Sequence, residues 1–166
     1  MTTKDIHAEP HEIKGFELFT ECLRFLIPDE EMKEILSQDE CELQPDFLGF
    51  VNVYEPLSNL IPEHKIVIDF GCYLAAQSYF FQDHKAYIGV DPIKMKRFEP
   101  SNAAHFEMTA QFFIRHVLPE FLKEYDIDDF CAICSYVNDR EATRMVRETF
   151  PNVFCYYPSR RECDTM

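Results

Sequence analysis

Long apolar runs are missing from this 166-residue chain, although 46% of its residues are hydrophobic. No stretch approaches the roughly 20 residues that a membrane-spanning helix needs. The first thirty positions carry acidic groups where a secretory leader would have a basic start and an apolar core. A cytoplasmic location with no membrane partner is therefore expected. Basic side chains are scarce too, 16 against 30 acidic ones, for a formal charge of -14. Phosphate backbones attract proteins through lysine, arginine and the release of counterions, so general nucleic-acid binding is not expected. The imbalance lies mostly in residues 1–60, which hold 4 basic and 14 acidic side chains. Ordinary solvation accounts for that acidity, and mimicry of a nucleic acid carries little weight beside it.

Paired cysteine motifs are few. The seven cysteines form an odd set scattered through apolar segments, which suits reduced thiols better than a disulfide framework. Cys131 and Cys134 make a CxxC, but no second pair follows at zinc-site spacing. In a strand, a separation of three sends the two thiols to opposite faces. The six histidines are dispersed, and no metal site is assigned. Tryptophan is absent, and the 16 phenylalanines are read mostly as core.

Residues 11–27 repeat apolar positions at spacings of three and four (Ile13, Phe16, Phe19, Leu23, Leu26), the pattern of an amphipathic helix closed by Pro28. Pro28 and the acids Asp29, Glu30 and Glu31 mark the first turn of a second helix. Residues 39–46 read as a loop, and a third helix runs towards Leu60, kinked or split at Pro56. After Pro62 the pattern changes to short β-rich runs: "KIVIDF", "AYIGVD", "AHFEM", "DDFCAICSYV" and "NVFCYY". Between them lie the helical segments "LAAQSYFFQ", "AQFFIRHVLPEFLKEY", disturbed at Pro119, and "DREATRMVRETF". The order implies a doubly wound, mainly parallel five-stranded α/β sheet of Rossmann-like form. One domain's worth of chain is divided into an N-terminal helical extension, residues 1–60, packed on a core, residues 61–166.

Glycine is the scarcest residue that matters, with 4 in the whole chain. In an open parallel sheet, ligands bind beyond the carboxyl ends of the strands, where the strand order reverses, and the first strand-to-helix turn is the usual place. Here that turn is "DFGCYLA", Asp69 to Ala75. Asp91 closes the following strand, where a carboxylate can accept hydrogen bonds from ribose hydroxyls. A dinucleotide G-x-G-x-x-G would need glycine at 73 and 76, where Tyr73 and Ala76 stand.

With "DFGCYLA" in place of D-x-G-x-G-x-G, and Asp91 in "IGVDP", the segment resembles the cofactor core of class I S-adenosylmethionine-dependent methyltransferases. The similarity covers roughly residues 50–157. It extends less specifically through "FEMTAQF", where Thr109 stands at a position that in the family often holds an acid contacting adenine, and through "ICSYVND". The resemblance implies a crevice for S-adenosylmethionine formed by Asp69, Gly71, Cys72, Tyr73, Asp91, Thr109 and Ser135. Tyr73 replaces the second glycine and Ala75 the third. The tyrosine then either blocks the methionine end of the pocket or roofs it. No Pro-Pro-aromatic tract follows the fourth strand, and too little chain follows "NVFCYY" for a final hairpin.

The expected function is that of a small methyltransferase-like protein whose methyl acceptor is unknown. Methyl transfer depends mainly on alignment, so no catalytic residue is named. The alternative is a non-catalytic interaction protein that kept the fold, pairing with a partner or a second copy through the sheet edge bared by the missing hairpin. Asn138 and Asp139 are candidates for orienting a substrate, or equally for capping a helix. Arg140, Arg144 and Arg147 share a helix face and are read as solvated. Lys94, Lys96 and Arg97 are read as surface cations flanking the pocket mouth.

Overall fold

Strands that are apolar on both sides need cover on both sides. The run Ile66–Phe70 is such a strand, buried at all five positions, and it forms β2 at the centre of the sheet. A computed structural model describes residues 2–7, 26–38, 47–135 and 139–157. The expected helix over residues 11–27 and the loop over 39–46 fall largely or wholly outside these residues.

The elements in chain order are β1 (Thr2–His7), α1 (Asp29–Leu36), α2 (Phe47–Leu60), β2 (Ile66–Phe70), a 3₁₀ turn (Ala76–Phe81) and β3 (Ala86–Val90). Then follow β4 (Ala103–Phe106), α3 (Ala110–Phe112), a π-helical segment (Phe113–Val117), α4 (Leu118–Phe121), a second 3₁₀ turn (Ile127–Asp129), β5 (Phe130–Ser135), α5 (Arg140–Thr149) and β6 (Asn152–Tyr157). The strand order is β1-β6-β5-β2-β3-β4, and every pairing is parallel. Strand order reverses between β2 and β5, because the chain first builds outward through β3 and β4 and then returns. This is a doubly wound, Rossmann-like sheet.

The five expected strands are all present, and β1 joins them as a sixth. It pairs with β6 from Thr2↔Asn152 to His7↔Tyr157. The edge of β6 expected to be bare is therefore occupied by the chain's own N-terminal segment.

Two helical expectations change. The β2–β3 crossover is a six-residue 3₁₀ turn and not an α-helix. Its longer rise, about 2 Å per residue, lets few residues bridge the strands while burying Gln77, Ser78, Tyr79 and Phe81. No α-helix N-terminus follows the glycine turn. The helix α2, expected to be kinked or split at Pro56, is not split there: it continues through the proline to Leu60. At Pro119 the disturbance does appear: the helix widens to a π turn over Phe113–Val117 immediately before it. The wider turn makes room for a ring that would crowd the carbonyl four residues back.

Alternation along the strands splits the core in two. Val67, Tyr87, Cys131 and Ile133 pack with α2 and the 3₁₀ turn on one face. Ile66, Ile68, Phe70, Ala132 and Cys134 pack with α5 and the π segment on the other. The CxxC thiols thus lie on opposite faces, as the strand period requires. Burial pushes the Cys131 thiol up to about 12.

Candidate functional site

Asp69 follows Val67 on the face of β2 that meets α2. It is fully buried. Its carboxyl oxygens accept hydrogen bonds from the Tyr54 hydroxyl at 3.0 Å, the Gln77 amide at 2.7 Å and the Tyr87 hydroxyl at 2.5 Å. Gln77 also donates to the Cys72 carbonyl at 3.0 Å. A buried polar group is costly unless satisfied, and this cluster ties α2, the 3₁₀ turn and β3 to the strand that begins the loop. Burial and the nearby Asp69 push the Tyr87 phenol and the Cys72 thiol well above their ordinary ranges. Asp69 supports the site from beneath and is not among the residues that line it.

The loop after β2 has a backbone that its sequence would not favour. Gly71, Tyr73 and Ala75 have φ of 81°, 49° and 60°. These are the three positions where the D-x-G-x-G-x-G pattern places glycine, so the left-handed turns persist with two side chains that disfavour them. Two bonds to β3 and its end, and one within the loop, hold the shape. Gly71 N–H donates to Val90 O at 2.8 Å, Tyr73 N–H to Asp91 Oδ2 at 3.1 Å, and Ala75 N–H to Cys72 O at 2.8 Å.

Asp91 follows directly on β3 and is buried. Besides Tyr73 it receives the Ile93 N–H at 2.9 Å, and Arg97 Nη2 stands 3.9 Å from Oδ1. Arg97 is not a surface cation. Its side chain is 3% exposed, Nε donates to Tyr73 O at 2.9 Å, and Nη1 donates to Glu107 Oε1 at 3.1 Å. Nη2 also donates to the Ile93 carbonyl. Helix α1 and the turn after it secure the same segment from outside: Gln38, two residues past the helix, bonds both the N–H and the carbonyl of Lys96, and Glu31 accepts from Glu99 N–H at 2.8 Å.

Beyond the strand ends lies a crevice of about 380 Å³. Gly71 follows β2, Asp91, Pro92 and Ile93 follow β3, Thr109 and Gln111 follow β4, and Asp139 and Ala142 follow β5; together with Val90 and Ala110 they line it. It spans the switch point between β2 and β5. Of the seven expected site residues, Gly71, Asp91 and Thr109 meet there. Cys72 is buried in the α2-side core, and Tyr73 packs against that core; neither is among the lining residues. Ser135 ends β5, and its side chain lies outside the described residues, as do Tyr136 and Asn138. Thr109 has a second role, since its hydroxyl caps α3 by accepting from Phe112 N–H at 3.2 Å.

Asp139, read from the sequence as a substrate-orienting or capping residue and not as part of the cofactor crevice, is the second carboxylate of the lining. It caps α5, accepting from Glu141 N–H at 2.9 Å and Ala142 N–H at 3.3 Å, while Gln111 donates to its other oxygen at 2.7 Å. These bonds, Gln111 foremost, hold its carboxyl below the ordinary range. Its signal was the "ND" before an amphipathic helix at a strand's carboxyl end. Arg97 offered no such signal, because nothing in "KMKRFEP" separates it from Lys94 and Lys96.

No protein-family model matches the chain, and no curated protein matches it. The residues and their geometry carry the functional reading alone.

Proposed function

We propose that the crevice binds S-adenosylmethionine or its demethylated product, as a methyltransferase-like domain does. The observation that carries this reading is the loop Gly71–Ala75, held in three left-handed turns beside Asp91 although two of its residues are not glycine. Strained backbone persists only where its surroundings over-determine it, and such places cluster at ligand clamps. The crevice lies at the switch point of a doubly wound sheet, and its size falls at the small end of the range for small-molecule sites. The lining residues hold no nucleophile set beside a base, so the chain's part in methyl transfer would be alignment.

A second reading has its own support. Both oxygens of Asp91 already receive backbone N–H groups from Tyr73 and Ile93. A carboxylate so engaged has less capacity left for a ribose diol, which favours a domain that keeps the fold without turnover. Calorimetry with both adenosyl compounds separates the two. Saturable heat that weakens about three- to tenfold in Ile93→Ala, a truncation of a 46%-exposed lining side chain, supports the first. No heat at millimolar ligand with folded protein overturns it and leaves the second.

A further inference from the structure

Two sets of backbone N–H groups at the crevice are suited to anions, and both are filled by the chain's own carboxylates. The N-terminus of α5, a ten-residue helix, gives the N–H groups of Glu141 and Ala142 to Asp139. The turn after β3 and the glycine-position loop give those of Ile93 and Tyr73 to Asp91. A phosphate group seeks such donors and the positive helix end beside them. The lining contains two carboxylates and neither lysine nor arginine.

The two carboxylates differ in surroundings. Asp91 has Arg97 behind it at 3.9 Å. Asp139 is held by neutral donors, the Gln111 amide and two backbone N–H groups. Arg140 follows it in sequence but is exposed and is not among the crevice-lining residues. An aspartate is ionised at neutral pH, and the bonds from Gln111 and the first turn of α5 favour that form further. Its charge therefore acts on whatever enters the crevice, attenuated by water at the rim.

Resting on the reading of the crevice as an adenosyl site, we infer that Asp139 selects ligands by charge: it favours the sulfonium compound over its neutral thioether product and turns phosphorylated nucleosides away. Asp139→Asn removes the charge and keeps the cap, since asparagine caps a helix as well as aspartate does, and the Gln111 amide can turn to offer its oxygen to the new NH2 group. Titration calorimetry at low ionic strength would use S-adenosylmethionine, S-adenosylhomocysteine, adenosine and adenosine monophosphate. For the parent chain the sulfonium compound binds about three- to tenfold more tightly than the thioether, and the monophosphate binds more weakly than adenosine. In Asp139→Asn both ratios move towards one, and added salt shrinks both in the parent. Adenosyl binding with ratios that Asp139→Asn leaves unchanged overturns the inference and keeps the adenosyl site. Absence of binding by all four compounds overturns the adenosyl reading and the inference with it.

Discussion

The Nε–H of Arg97 donates to the carbonyl of Tyr73 at 2.9 Å, while the N–H of the same tyrosine donates to Asp91 at 3.1 Å. One residue with a left-handed backbone is thus gripped at both of its flanking peptide units, through its N–H and through its carbonyl. Its φ of 49° is maintained by two charged groups that themselves approach to 3.9 Å.

Asp91→Ala should therefore cost stability as well as ligand affinity. Removing the carboxylate strands two N–H groups and leaves the buried Arg97 with Glu107 as its remaining carboxylate partner. The loss is about 2–4 kcal/mol, by the cost of breaking a largely buried pair. Urea unfolding of the two chains checks it. A change under about 0.5 kcal/mol would show that Asp91 does not hold the loop.

Ala75 tests the backbone itself. It is buried, with φ 60° and ψ 30°, so Ala75→Gly relieves the left-handed cost while losing one methyl and gaining unfolded-state entropy. These effects offset to within about 0.5 kcal/mol. Ala75→Val adds a branched side chain where neither the backbone nor the core has room, and should cost more than about 2 kcal/mol. Denaturation midpoints for the pair give the contrast. Equal losses in both variants would mean that the turn is not strained.

The sheet was legible because strand composition is local: "KIVIDF" and "DDFCAICSYV" are apolar on both faces and can only be central. The crossover was misread because "LAAQSYFFQ" is apolar enough for a helix, and only the tertiary demand to bury Gln77 beneath Asp69 favours a 3₁₀ turn. The strand β1 had no internal signal: "TTKDIH" carries two charges and one large aliphatic residue, and its order comes from the β6 edge it pairs with. Gly71 and Asp91 were legible from their strand-end positions, and Thr109 only from the family resemblance. Arg97 was missed because its burial is created by the carbonyls around it.

Alkaline pH should weaken the fold through buried thiols. Cys131 is held near 12 by burial, above the ordinary value of 9.0, so the native state keeps a proton that the unfolded chain gives up. The stabilisation is complete below about pH 9 and is lost as pH rises towards 12, with a slope of about 1.4 kcal/mol per pH unit from this group. Cys72 and Cys134 shift in the same direction. Unfolding free energies between pH 8 and pH 10 should fall, and Cys131→Ala should make the fall shallower. An unchanged slope in that variant would place the titration elsewhere.

The last prediction concerns the edge that β1 covers. Its six residues pair in parallel with all six of β6, and β6 pairs on its other side with β5. Removing residues 1–10 uncovers a row of N–H and carbonyl groups on "NVFCYY", a strand with two tyrosines, one phenylalanine and no charged residue. An uncovered edge of that composition is a template for another strand. The shortened chain should therefore self-associate at concentrations where the parent gives a single smaller species, as measured by light scattering coupled to size exclusion. Adding back a peptide of residues 1–10 should reverse the association, because it competes for the same edge. Introducing Lys for Asn152, which pairs with Thr2 and belongs to neither half of the core, should suppress the association without the peptide, since a charge on an uncovered edge opposes pairing. A shortened chain that remains the same size as the parent would show that β1 does not guard the sheet.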